Sequence, residues 1–103
     1  MAISQKQFAA QLFDAEDNLY KFDDVACMAR FLNQGRAKPA AVFVADYETR
    51  EWMKESSAWF VRTDEVPTPM GGGLLAFSDR ARAEAAARKF GARVLRPGEA
   101  GLP

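Results

Sequence analysis

The 103-residue chain has no histidine. That absence removes the commonest general base, excludes Ser-His and Cys-His nucleophile pairs, and leaves no imidazole to ligate zinc. There is a single cysteine, Cys27, so no internal disulfide can form and a small core has to hold by packing alone. Charge of one sign is not in excess either. Fourteen basic residues face fourteen acidic ones, so the long-range attraction that draws basic chains to polyanions is missing and no nucleic-acid partner is expected. No run approaches the roughly 20 apolar residues of a membrane-crossing helix, and the N-terminal MAISQKQF lacks a basic region followed by an apolar one. Direct membrane insertion by this segment is not expected.

What remains is ordinary globular material. The hydrophobic fraction of 49% suffices for one domain, or for two very small modules that share a core. With imidazole gone, any metal falls to carboxylate or sulfur. Four methionines and Cys27 are the soft donors, and thioether with thiolate selects Cu(I) over magnesium, calcium or zinc.

The chain is organised around Lys21 to Leu32, KFDDVACMARFL, where an extended run turns into a helix. Asp23 or Asp24 can cap that helix, and capping explains the pair better than acid-base chemistry does. Cys27, Met28, Phe31 and Leu32 recur on one apolar stripe until Gly35 ends the helix. A Cys-Met step on such a face is ordinarily packing, with the thiol shielded and poorly reactive. Upstream, Ala9 to Phe13 and Asn18 to Phe22 read as a hairpin; downstream, Ala40 to Tyr47 reads as a strand.

The second half repeats this order. Ser57 to Thr63 reads as a strand, DEVPTPM as a loop stiffened by Pro67 and Pro69, and GGGLLAF as a lead into the next strand. Phe77-Ser78-Asp79 restates Phe22-Asp23-Asp24 before a helix that runs to Phe90, with Ala83, Ala86, Ala87 and Phe90 on one face and Gly91 as its stop. Ala92 to Pro97 closes the unit. The expected fold is therefore α+β, a duplicated strand-strand-helix-strand unit, with units at 1–47 and 57–97, a connector at 48–56 and a frayed tail at 98–103. Arg80, Arg82, Arg88 and Lys89 of the second helix read as a solvated face. Met53, beside Trp52, reads as a packing residue.

Three stretches carry a specific resemblance: KFDDVACM at Lys21 to Met28, VADYETREWMKESSAWFVR at Val44 to Arg62, and TPMGGGLLAFSDRARAEAAARKFGARVL at Thr68 to Leu95. In order and spacing they resemble the NosL family of nitrous oxide reductase copper chaperones, most specifically in Thr-Pro-Met-Gly followed by Ala-Phe. The resemblance covers Phe8 to Leu95 and implies two related strand-strand-helix-strand units. It also implies a periplasmic or cell-envelope protein, lipid-anchored at full length. Such a protein binds Cu(I) and delivers it to the nitrous oxide reductase maturation machinery, including a membrane transporter complex. Family members carry a Cys-Gly-Met motif just before the segment corresponding to Ala2 to Phe8. Met1 falls where that motif's methionine would sit, or is an initiator only; the motif's thiolate is not among these residues.

The resemblance makes Met70 the leading ligand, with Met1 beside it and Met28 and Cys27 behind as weaker candidates. Met70 follows Pro69 and precedes Gly71-Gly72-Gly73, so a stiff arm presents the thioether while glycine lets backbone approach closely. The glycine run is no phosphate cradle, since no lysine follows it in P-loop spacing. The expected protein is a carrier and not an enzyme. Two other readings stay open: a thiol enzyme using Cys27, related to organomercurial cleavage, and a metal-free module that homodimerises through a sheet edge.

Overall fold

In the computed structural model, residues 6–35 and 37–102 are described. The first half forms β1 (Ala10–Asp14), β2 (Leu19–Phe22), α1 (Val25–Asn33) and β3 (Pro39–Ala45). The second forms β5 (Trp59–Arg62), β6 (Leu74–Phe77), α2 (Arg80–Phe90) and β7 (Val94–Leu95). Every strand pair is antiparallel, and in both halves the first strand lies centrally, between its hairpin partner and the strand that follows the helix. This is the α+β fold of two strand-strand-helix-strand units that the repeated sequence order predicts.

Local chemistry accounts for the joints. At the β1–β2 turn the Asp14 carboxylate accepts the N–H groups of Glu16 and Asn18, both at 2.9 Å, which closes the hairpin. Asp24 caps α1 and Asp79 caps α2, each accepting the N–H two residues on. Gly91, with φ of 66°, closes α2 in the left-handed region, as its position after Phe90 predicts.

The two halves share a core. One cluster joins Ala10, Leu12 and Val44 of the first sheet to Val25, Met28 and Ala29 of α1 and on to Phe60, Leu74 and Ala76 of the second sheet. The opposite face of the second sheet, with Val61, Leu75 and Phe77, packs on Ala83 and Ala87 of α2. Period-two alternation thus lets β6, buried at all four residues, serve both clusters. Phe22 and Phe77 end β2 and β6, and each packs under the helix that follows it.

Three features differ from expectation. The span 48–56, read as a plain connector, holds β4 (Trp52–Lys54), which adds to the edge of β3, and then a 3-10 turn at Glu55–Ser57. The tail, read as frayed, is packed through Leu102. It makes a 3-10 turn at Pro97–Ala100, buries Ala100 and Leu102 in the shared core, and is held by Arg62 Nη2 to Ala100 O at 3.2 Å and Asn33 Nδ2 to Gly101 O at 3.0 Å. Arg82, read as part of a solvated face, instead reaches across to Asp46 and Glu48. Among the described residues no helix is long and apolar enough to cross a membrane.

Candidate functional site

The loop between β5 and β6 carries Met70 outward. Its shape follows from three short-range devices: Thr68 O accepts the Gly71 N–H at 3.0 Å, Thr68 Oγ1 accepts the Gly73 N–H at 3.1 Å, and Gly71 and Gly73 adopt φ near +70° that side chains disfavour. The Met70 side chain is 54% exposed at the tip. A large apolar side chain so displayed contributes little to the fold.

What fixes the loop is Asp24. Its carboxylate is fully buried; Oδ1 accepts the Ala26 N–H at 2.9 Å, while Oδ2 accepts the N–H groups of Met70 at 3.1 Å and Gly72 at 3.3 Å. One side chain therefore caps α1 and pins the methionine loop of the other unit onto the first turn of that helix. Gly72 makes the approach feasible, because a Cβ there would overlap the Ala26 Cβ and stand 2.7 Å from Asp24 Oδ1. The result is an exposed thioether whose own backbone N–H is anchored.

The other candidate donors are placed differently. Met28 is fully buried in the shared core and is packing, closed to an ion arriving from solution. Cys27 is half-buried and leans on the same core. Met1 lies outside the described residues. The structure thus brings out Met70 alone and does not gather it with Met28. Asp23, on the strand-to-helix step beside Asp24, has Oδ1 buried with no hydrogen-bond partner among the described residues. No group of three or more His, Cys, Asp or Glu residues that could hold a metal ion forms among the described residues. A lone neutral thioether binds a soft cation weakly, so Met70 by itself is not a complete metal site.

A second buried carboxylate fastens the two units at the opposite junction. Asp46, just past β3, accepts the N–H groups of Glu48 at 2.8 Å and Thr49 at 3.0 Å on Oδ1. Its Oδ2 accepts the Ser78 N–H at 2.8 Å and Arg82 Nη2 at 2.8 Å. Burial pushes the Asp46 carboxyl up, but the Arg82 guanidinium and the N–H groups of Thr49, Ser78 and Glu48 outweigh it and hold the group well below its usual range. Hydrogen bonds to Asp46 and Glu48 raise Arg82 in turn. Sequence reasoning saw Asp24 as a cap only and gave Asp46 no role. The signal for both is an aspartate within two residues of an apolar strand end, which by itself does not say what it will meet.

Comparison with known proteins gives a consistent picture. The chain matches the NosL family model over residues 1–100. Among solved structures it resembles the crystal structure of the copper chaperone NosL from Shewanella denitrificans, with a TM-score of 0.84 and 21% sequence identity over 96% of this chain and 83% of that one. No curated protein matches.

Proposed function

The chain belongs to the NosL family, and from that premise we propose that it is a copper carrier that binds the ion as Cu(I) and passes it on by ligand exchange through sulfur donors. The observation that carries the reading is Met70, exposed on a loop whose backbone is bonded to the buried Asp24. A soft, uncharged thioether held in place suits an ion that must be kept but also surrendered. Pinning the loop means that little conformational freedom is lost when the ion arrives.

Copper here is cargo. A thioether cannot compensate the charge of the ion, so the tighter donor is a thiolate, and in this reading it comes from the family's Cys-Gly-Met motif ahead of Ala2. Release follows when a partner offers one more donor than the carrier holds. We assign the recipient to the nitrous oxide reductase maturation machinery, including its membrane transporter complex, and the setting to the periplasm or cell envelope with a lipid anchor at full length. Cys27 does not support the rival thiol-enzyme reading, because a chain with no histidine and no second cysteine has neither an imidazole to activate it nor a thiol to resolve it.

The test is a Cu(I) titration against a competing chelator. This chain should bind weakly, a form extended upstream with Cys-Gly should bind far more tightly, and Met70→Leu in the extended form should lose about tenfold or more in affinity. Unchanged affinity in Met70→Leu would remove the methionine loop from the site.

A further inference from the structure

The three methionines among the described residues stand in three environments. Met28 is fully buried in the shared core, Met53 is partly buried and packs on the same core from β4, and Met70 is open to solvent. The loop cannot draw Met70 back while it keeps its anchors. Asp24 Oδ2 holds the N–H groups of Met70 and Gly72, and Thr68 holds those of Gly71 and Gly73, so every amide from Met70 to Gly73 is tied. The sulfur is therefore presented to whatever oxidant arrives, and none of the bonds that fix the loop involves the Met70 side chain.

We propose that Met70 is a site of reversible oxidation, which removes the soft donor from the loop without unfolding the chain. The oxidant is hydrogen peroxide. The Met70 sulfur attacks one peroxide oxygen, an S–O bond forms as the O–O bond breaks, and the proton on the transferred oxygen passes to the departing hydroxide, which leaves as water. Sulfur is oxidised by two electrons and the peroxide is reduced by two. In the reverse step a pair of reductase thiols supplies two electrons, so that the oxygen leaves as water and a disulfide forms. Burial keeps peroxide from Met28, and a sulfoxide there would set a polar group in the core at a cost in stability.

The consequence for the cargo rests on the copper-carrier reading. A sulfoxide is polar and offers a hard oxygen in place of the thioether, so a soft Cu(I) loses its donor. An ion already on Met70 occupies the lone pair that peroxide needs, which makes the empty carrier the sensitive state.

The experiment treats the copper-free chain with hydrogen peroxide under native conditions and reads each methionine by peptide mass mapping. Met70 sulfoxide should form about tenfold or more faster than sulfoxide at Met28 or Met53. The species oxidised at Met70 alone should keep the urea midpoint of the untreated chain, and the two methionine sulfoxide reductases, one for each epimer, should restore it. In the form extended with the upstream Cys-Gly, accessible thiols are blocked as mixed disulfides during the peroxide step and freed afterwards. There the species oxidised at Met70 alone should bind Cu(I) as weakly as Met70→Leu, and repair should recover the affinity. Equal rates at the three methionines, a lowered urea midpoint, or a sulfoxide that the reductases leave in place would each overturn the proposal. Full Cu(I) affinity after oxidation, with Met70→Leu weakened, would sink this inference alone; full affinity in Met70→Leu as well would sink the carrier reading and the switch with it.

Discussion

The two strand-to-helix junctions share a local sequence and have different fates. Phe22-Asp23-Asp24 and Phe77-Ser78-Asp79 each end a strand with a buried phenylalanine and cap a helix with an aspartate, whose Oδ1 accepts an N–H at 2.9 and 2.8 Å respectively. The Asp79 side chain stays 55% exposed, and its second oxygen has only the Arg82 Nε, at 3.8 Å. Asp24 is sealed, and its second oxygen holds the loop that carries Met70. The difference arises because the second unit lays its loop over the start of α1. The start of α2 meets the turn after β3 instead, but there it is Asp46 that takes the N–H and hydroxyl of Ser78, and Asp79 is left outside. Equal capping signals thus become one ordinary cap and one inter-unit fastener.

The largest effect should separate the two caps. Asp24→Ala strands three N–H groups, two of them across the unit boundary, and should cost about 3 to 5 kcal/mol in urea unfolding. Asp79→Ala should cost about 1 kcal/mol, the ordinary value of a cap. Equal losses would break the comparison. Gly72→Ala comes next, at about 2 kcal/mol, because its Cβ would collide with Ala26 and lift the loop from Asp24. Gly71→Ala meets nothing within 4 Å and should cost only the strain of its positive φ, about 1 kcal/mol.

The fastener at the other junction can be probed by pH. The Asp46 carboxyl is depressed in the folded chain, so its stabilisation is fully present above the unfolded value of about 4 and is lost as pH falls through the folded value. Between pH 6 and pH 3 the unaltered protein should lose about 1 kcal/mol more than Asp46→Asn, compared through their urea midpoints. Parallel losses in the two proteins would mean that the Arg82 contact adds no stability.

Much of the architecture was legible because it rests on local signals. Alternation in Ala10 to Phe13, the caps at Asp24 and Asp79, the stop at Gly91 and the repeated Phe-x-Asp step each act within a few residues, so the element order could be read directly. β4 escaped because three residues carry too little periodicity to register. The tail misled because a terminal hexapeptide reads as frayed, whereas Ala100 and Leu102 find their partners only in the assembled core. At the candidate site the exposed loop position of Met70 was legible from Pro69 and the glycines beside it. Its anchor was not, since a hydrogen bond spanning 46 residues leaves no trace in spacing.

The smallest effect sharpens the comparison most. Met70 gives its backbone N–H to Asp24 but displays its side chain to solvent, so the anchor and the proposed copper donor are separate parts of one residue. Met70→Leu keeps the N–H and conserves side-chain volume, and exposed substitutions of this kind shift stability by less than about 0.5 kcal/mol. Unfolding should therefore be unchanged, whereas Asp24→Ala should disturb the loop while leaving the thioether intact. In a form extended with the upstream Cys-Gly, Met70→Leu should weaken copper binding at constant stability, and Asp24→Ala should weaken both. If Met70→Leu destabilised the chain as much as Asp24→Ala, the side chain would be a structural plug and the division between anchor and donor would fail.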